Sequence, residues 1–209
     1  MYNTTSIPCI LLTVAIMAMG TSVMAIEEPS FKVLDGEGEF ELRQYPSIIV
    51  AETYVEGDFK SVGSDGFRRL VDYIGGKNKK STSISMTAPV SQGPESEKIE
   101  MTAPVTQERN NQRWRITFVM PSTFKMETLP IPDDDRVVLV REKPKVVAVI
   151  RYTGTWGKKR YESHESKLID WIDGKGWQII GEPVWARYNP PFMPWFLRRN
   201  EILIPVRTQ

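Results

Sequence analysis

Cysteine and histidine are almost absent from this chain of 209 residues, which contains one of each. The only cysteine, Cys9, lies in an N-terminal apolar segment, and loss of that segment would leave neither a disulfide nor a catalytic thiol. One histidine, His164, is too little for a closed zinc site of cysteine and histidine ligands. CxxC pairs, HExxH motifs and glycine-rich phosphate loops are missing as well. These absences argue against thiol, zinc and nucleotide chemistry.

An excess of charge of either sign is also lacking, because 27 basic residues are balanced by 26 acidic residues. A protein that binds nucleic acid normally carries a net positive field, since neutralising phosphates supplies most of its affinity. We therefore expect no nucleic-acid partner for this chain.

The first 25 residues contain no Asp, Glu, Lys or Arg, and residues 10–19 form an apolar run. That run is shorter than the roughly 20 residues that span a bilayer. Small or modest residues follow at 23–25, and charge begins at Glu27. This layout is typical of a secretory signal peptide. We predict cleavage after residue 25, export to the periplasm or the extracellular space, and no stable membrane insertion afterwards; the alternative is a buried or membrane-anchoring N-terminal helix.

Two stretches of the sequence, residues 42–76 and 140–174, resemble each other. The matched pairs are Pro46 with Pro144, Gly57 with Gly154, Phe59 with Trp156, Leu70 with Leu168, and Gly76 with Gly174. A stable solenoid needs three or more repeats, so two copies indicate a duplicated supersecondary unit.

Each copy contains a short strand, a proline, a β-rich run, a glycine, a helix and a return to strand. The runs at 48–55 and 146–152 are apolar on successive residues, which is typical of strands covered on both faces. We predict an α+β domain over residues 26–209: a distorted, mainly antiparallel β-barrel with two helices. Two β-β-α-β repeats, at about 38–120 and 135–206, would be related by a pseudo-two-fold axis, and the cleft between them is the favoured ligand site.

The pentapeptide Met-Thr-Ala-Pro-Val occurs twice, at 86–90 and 101–105. One interpretation is that two strands present Met86 and Met101 to a common cavity, since the methionine side chain is adaptable and its sulfur is soft. The alternative is ordinary core packing.

Residues 189–197, NPPFMPWFL, combine three prolines with large apolar side chains. Loops of this length usually face water, so the content of Phe192, Trp195 and Phe196 needs a reason. The segment is either a rigid rim that stacks on a flat ligand or a plug over the end of the barrel.

The tandem pentapeptide, GFRRLVDYIGGKNKK at 66–80 and ARYNPPFMPWFLRRNEILIPV at 186–206 together resemble the SOUL haem-binding family. The resemblance covers about residues 40–206. It implies a distorted barrel of two repeats and non-covalent binding of haem or a related tetrapyrrole, mainly through an apolar surface pocket, and it does not imply catalysis. The fold also resembles effector-binding domains of bacterial transcription regulators, in which a glutamate on the last strand often faces the pocket; Glu201 matches that position.

The candidate ligand-binding residues are Met86, Met101, Tyr161, His164, Phe192, Trp195, Phe196, Arg198, Arg199 and Glu201. His164 is the only conventional iron-ligating nitrogen, and the alternative for it is a hydrogen-bonded helix histidine. Arg198 and Arg199 directly follow the aromatic loop, so we expect them to pair with the propionates of a porphyrin.

Three functions remain open. The first is a monomeric, non-enzymatic carrier or buffer of haem. The second is a hydrolase in which burial raises the pKa of Glu201, which acts as general acid or base with Tyr152 or Tyr188; a Glu201 paired with Arg198 or Arg199 is the structural alternative. The third is a protein-interaction module that docks through the aromatic loop.

Overall fold

Most strands predicted from the apolar runs form one sheet in the computed structural model, which describes residues 26–80, 96–110 and 112–208. The predicted signal peptide and Met86 lie outside the described residues. In chain order the elements are β1 (Lys32–Glu37), β2 (Phe40–Tyr45), β3 (Ile48–Glu56), α1 (Phe59–Ile74), β4 (Asn78–Lys79), β5 (Val105–Asn110), β6 (Arg113–Val119), β7 (Ile131–Pro132), β8 (Val138–Glu142), β9 (Lys145–Thr153), α2 (Lys158–Gly174), β10 (Gln178–Ile179), β11 (Val184–Arg187), a 3₁₀ helix (Trp195–Leu197) and β12 (Arg199–Arg207).

The main sheet is antiparallel and has the order β1-β2-β9-β12-β11-β5-β6-β3-β8, with β10 paired to β12. Apart from β1, which has no counterpart, this order is symmetric about the boundary between β11 and β5. The two repeats exchange their first strands, because β2 of the first pairs with β9 of the second and β8 of the second pairs with β3 of the first. The predicted fold class, a curled antiparallel sheet with two helices built from two related repeats, is confirmed.

Both helices lie on one face of the sheet, where each covers its own half. Helix α1 packs on β3 and β6, and α2 packs on β9 and β12. The equivalent leucines Leu70 and Leu168 are fully buried in two separate core clusters. Burying one such side chain contributes roughly 1.5–3 kcal/mol, so the apolar stripe on each helix is what fixes its position on the sheet.

Helix α1 approaches the sheet closely at Gly66. A Cβ atom at this position would lie 2.5 Å from Cγ1 of Ile116 on β6, which is inside van der Waals contact. Glycine in a helix interior costs roughly 0.5–1 kcal/mol relative to alanine. Glycine is nevertheless required at position 66, because no side chain fits between α1 and β6 at this point.

Burial raises the pKa of all six tyrosines in the described part of the chain: Tyr45, Tyr54, Tyr73, Tyr152, Tyr161 and Tyr188. The shift brings the pKa of Tyr152 to about 12. Unfolded phenols ionise near a pKa of about 10, so the folded state loses stability as the pH rises above that value. We expect phenolate absorbance at 295 nm to appear together with loss of circular dichroism. Ionisation of several tyrosines near pH 10 in a chain that keeps its folded spectrum would contradict this.

No helix in the described residues is both long enough and apolar enough to cross a membrane.

Candidate functional site

The cleft between the two halves lies where the pseudo-symmetry places it, between the N-terminal ends of α1 and α2 and against β9, β11 and β12. Its lining residues are Phe59, Tyr152, Trp156, Gly157, Tyr161, Trp185, Ala186, Arg187, Asn200 and Glu201. The cavity holds about 20 Å³, which is room for about one water molecule. The cleft, which the two-repeat pattern predicts as the favoured ligand site, is therefore too small to enclose a flat ligand such as a porphyrin.

Aromatic side chains from both halves fill the cleft. Phe59, which opens α1, packs against Trp185 of β11 with 3.7 Å between ring centroids. Trp114 of β6 and Tyr161 of α2 join the same cluster. Rings that interlock in this way leave space for small polar groups and none for a porphyrin.

Glu201 is 1 % exposed and is held by three donors. Its carboxylate accepts hydrogen bonds from Arg43 at 2.8 Å, from the Tyr188 hydroxyl at 2.7 Å and from Arg199 at 3.1 Å. Burial alone would raise the pKa of Glu201, but the hydrogen bond and charge of Arg43, with Tyr188 and Arg199, outweigh burial and lower it. The prediction that burial raises the pKa of Glu201 is therefore wrong.

Arg43 is the residue of this cluster that sequence reasoning missed. It lies on β2 of the first repeat, is 2 % exposed and meets Glu201 only because β2 crosses into the second half. Its guanidinium also contacts the carboxylate of Glu41 at 2.6 Å and lies 4.2 Å above the ring of Phe31. A buried, fully paired carboxylate of this kind stays ionised and organises its surroundings.

The aromatic loop forms an exposed rim and does not plug the barrel. Phe192, Trp195, Phe196 and Leu197 are 85 %, 56 %, 58 % and 59 % exposed. The rings of Trp195 and Phe196 meet edge to face at 5.7 Å. Four large apolar side chains left in water within six residues form a patch of the kind that marks a binding surface.

Arg198 and Arg199, expected to face a ligand, use most of their donors inside the protein. Arg198 donates to the carbonyl oxygens of Met193 at 2.8 Å and Pro191 at 2.6 Å, which fixes the aromatic loop. Arg199 pairs with Glu201 and, at 3.0 Å, with Glu28. Both arginines therefore act mainly as scaffolding for the loop and the end of β12.

His164 lies on α2 with its ring stacked on Tyr152 at 3.9 Å between centroids. Its Nδ1 is 2.7 Å from the carbonyl oxygen of Arg160, which can only accept, so Nδ1 carries the proton. The lone pair is then on Nε2, the tautomer that metal-ligating histidines commonly adopt. Tyr161, one turn earlier, is buried, and its hydroxyl has no hydrogen-bond partner among the residues described.

Trp156 links the cleft to the aromatic loop. Its ring is contacted by the guanidinium of Arg187 from the cleft, at 5.3 Å, and by that of Arg198 from the loop, at 4.5 Å. Tyr161 therefore lines the cleft, His164 stacks on the cleft residue Tyr152, and Trp156 connects the cleft to the loop.

The cavity predicted to be shared by Met86 and Met101 lies partly outside the described residues, because Met86 is not described. Met101 is 44 % exposed and is not a lining residue of the cleft.

A second cavity, of about 60 Å³, lies on the face of the sheet opposite the helices. Apolar side chains form its floor: Val50, Val119, Val147, Val184 and Leu203. On one side Arg115 pairs with Glu52 at 2.6 Å and Glu142 at 2.7 Å, and Pro29 lines the cavity from the N-terminal segment. Within residues 26–80, 96–110 and 112–208, no cluster of His, Cys, Asp and Glu could hold a metal ion.

Comparison with known proteins identifies relatives of this architecture. A family model described as SOUL heme-binding protein matches residues 26–205. The chain is 27 % identical to Heme-binding protein 2 of Mus musculus, covering 88 % of this chain and 92 % of the relative. It is 26 % identical to Heme-binding protein 1 of Xenopus laevis, covering 78 % and 81 %.

Two solved structures illustrate the shared fold. The crystal structure of the EcmrR C-terminal domain aligns with a TM-score of 0.54 and 14 % identity, covering 81 % of this chain and 98 % of that one. The crystal structure of a hydrolase from Listeria innocua aligns with a TM-score of 0.55 and 12 % identity, covering 83 % and 94 %. At such identities the likeness establishes the fold and carries no function.

Proposed function

The chain belongs to the SOUL heme-binding protein family, and from that premise we propose that it binds haem or a related tetrapyrrole as a non-enzymatic carrier or buffer. The binding surface in this proposal is the exposed aromatic rim formed by Phe192, Trp195, Phe196 and Leu197. One observation carries the proposal: these apolar side chains face water beside a cleft too small for a porphyrin. The ligand would lie on the rim and not inside the protein, held without a covalent bond.

The residues present fit such a group. Each large aromatic side chain can bury 150–250 Å², and Trp195 and Phe196 already offer rings at an edge-to-face angle of 88°. The loop backbone is fixed by Arg198, so little entropy is lost when a flat ligand packs on it. Bound haem would supply the iron and its redox chemistry, while this chain supplies an apolar face and a fixed orientation.

His164 is the candidate axial ligand in this proposal. Its proton is held on Nδ1 by the carbonyl oxygen of Arg160, and its ring is kept in place by Tyr152. These contacts leave Nε2 as the nitrogen with a free lone pair. The apolar leader at residues 1–25 supports a place of action outside the cytoplasm.

A hydrolytic role for Glu201 has no support in the geometry. Its carboxylate is saturated by Arg43, Arg199 and Tyr188, and its pKa lies below the ordinary value, so it is a poor proton donor or acceptor at neutral pH.

Titration of the purified protein with haemin tests the proposal. We expect a saturable Soret shift with quenched tryptophan fluorescence, and for the double variant Trp195→Ser/Phe196→Ser an affinity weaker by at least about tenfold, because two ring faces are lost. Ile180→Ser is the matched control: Ile180 is equally exposed, at 52 %, but lies beside Pro205 at the far end of β12. An absent Soret shift, or equal losses in both variants, would exclude the rim as a haem site.

A further inference from the structure

Arg187 is a partly buried cation for which the described residues provide no carboxylate. Its guanidinium lies in the cleft, 5.9 Å from the ring centroid of Phe59 and 5.3 Å from that of Trp156. Among the described residues its one hydrogen-bond acceptor is the side-chain oxygen of Gln107, 3.2 Å from Nη2. Five N–H donors on a guanidinium with a single neutral acceptor leave most of its binding capacity unused.

Helix α1 leaves space for the Arg187 guanidinium because it has a glycine, Gly63, at the point of contact. A Cβ atom at Gly63, in the second turn of α1, would lie 3.2 Å from Nη1 of Arg187. Burial lowers the pKa of Arg187, opposed by Tyr152, although an arginine remains charged in any case. A desolvated, unpaired charge is costly, so the arrangement favours an anion that the chain itself does not contribute.

Other groups around Arg187 favour an anion as well. The residues that begin both helices, Phe59 of α1 and Gly157 before α2, line the cleft, and neither helix has a side-chain cap. The positive ends of two helix dipoles therefore point toward the same small space. Tyr161, whose buried hydroxyl lacks a partner in the described part of the chain, lines the cleft from α2.

Glu201, the one carboxylate that lines the cleft, does not neutralise Arg187. Its oxygens are occupied by Arg43, Arg199 and Tyr188. The cleft therefore combines a guanidinium that has one neutral acceptor, a hydroxyl without a partner among the described residues, and two helix ends without side-chain caps. The space of about 20 Å³ suits a carboxylate oxygen in place of a water molecule.

We propose that this cleft is a carboxylate subsite in which Arg187 receives one propionate of a tetrapyrrole bound on the neighbouring aromatic rim. The inference rests on the proposed function and adds to it the residue that binds a propionate of the ligand. Trp156, in contact with both Arg187 and Arg198, places the subsite next to the rim. A guanidinium matches a carboxylate in two parallel hydrogen bonds, which lysine cannot reproduce.

The test compares haemin with haemin dimethyl ester, whose propionates are uncharged, in the same dilute detergent. We expect the wild-type protein to bind haemin about tenfold more tightly than the ester. Arg187→Gln should weaken haemin binding by about tenfold and leave ester binding unchanged, and Arg187→Lys should keep part of the preference. Arg136→Gln, which removes an exposed arginine paired with Asp134, should change neither affinity.

The outcomes separate the subsite from the rim. Equal binding of haemin and ester by the wild-type protein would overturn the subsite and leave the rim intact, whereas failure of both to bind would remove both proposals. Equal weakening of both ligands by Arg187→Gln would reduce Arg187 to a structural role. Sodium acetate should compete with haemin and not with the ester; an acetate effect without any preference for haemin would assign the cleft to free carboxylates and overturn the propionate.

Discussion

Replacing Arg43 with methionine is expected to lower the free energy of unfolding by about 3–5 kcal/mol, because it leaves a buried carboxylate short of its main partner. Arg43 and Glu201 have side chains that are 2 % and 0 % exposed, and the shortest distance between them is 2.8 Å. Arg199 and Tyr188 would remain bound to Glu201 and moderate the loss. Urea denaturation followed by circular dichroism measures the difference.

The matched control is Arg136→Met, which breaks the ion pair with Asp134 at the surface, where the side chains are 60 % and 32 % exposed. An exposed pair of this kind is screened by water and contributes little to stability, so Arg136→Met should change the free energy of unfolding far less than Arg43→Met. The double variant Arg43→Met/Glu201→Met should recover much of the lost stability, because an apolar pair of similar volume often replaces a buried ion pair without cost. Equal losses for Arg43→Met and Arg136→Met would show that burial of the pair is irrelevant.

The effect of Arg43→Met on the free energy of unfolding should depend on pH, because Arg43 helps to set the pKa of Glu201. In the wild-type protein the pKa of Glu201 is lowered: burial raises it, but Arg43 and the other donors lower it by more. Its contribution to stability is therefore present above the unfolded pKa of about 4.3 and is lost as the pH falls through the folded pKa. In Arg43→Met burial is less opposed, so the gap between the two proteins should widen from pH 4 to pH 7. A gap that is constant over that range would contradict this account.

Replacing Gly66 with alanine is expected to destabilise the protein by about 1–3 kcal/mol, although alanine is the better helix former. The added Cβ would lie 2.5 Å from Cγ1 and 2.9 Å from Cβ of Ile116, a residue that is itself buried between α1 and the sheet. Rotation about χ1 could move Cγ1, but Cβ of Ile116 cannot move without shifting β6. Thermal or urea unfolding of the two proteins measures the change.

Gly174→Ala is the control for helix propensity, because no atom lies within 4 Å of a Cβ at Gly174. It should be neutral or stabilising by up to about 1 kcal/mol. In a double-mutant cycle, Gly66→Ala and Ile116→Ala should be less than additive, since the second change removes Cγ1, the nearer of the two clashing atoms. Additive losses would place the strain somewhere other than the contact with Ile116.

The duplicated pattern made the fold predictable, because local spacing identifies strands and helices wherever one face is buried. The regions predicted as strands at 48–55 and 146–152 became β3 and β9, each extended by a residue or two. The exchange of β2 and β8 between halves was not predicted, since pairing between distant strands leaves no periodic mark on either. The contact between Arg43 and Glu201 was not predicted for the same reason, because the two residues are 158 positions apart in the chain.

The candidate site was only partly predictable. The composition of residues 189–197 indicated an aromatic surface, and the prolines indicated a fixed backbone, but whether Trp195 faced water depended on tertiary packing. The duplicated pattern predicted a cleft between the halves, yet the volume of that cleft depends on how the rings interlock. Arg187 was missed because an arginine without a partner cannot be distinguished in sequence from one with a partner.

The exchange of first strands between the halves has a consequence for the newly synthesised chain. The ribosome releases the first repeat before β8 and β9 exist, so the edge of β3 that later holds β8 is left with unpaired N–H and C=O groups. The last strand described, β12, then inserts between β9 and β11 near the middle of the sheet. An incomplete chain thus carries an open strand edge that can pair with another molecule, and protection by chaperones during synthesis would serve this topology better than early folding of each half.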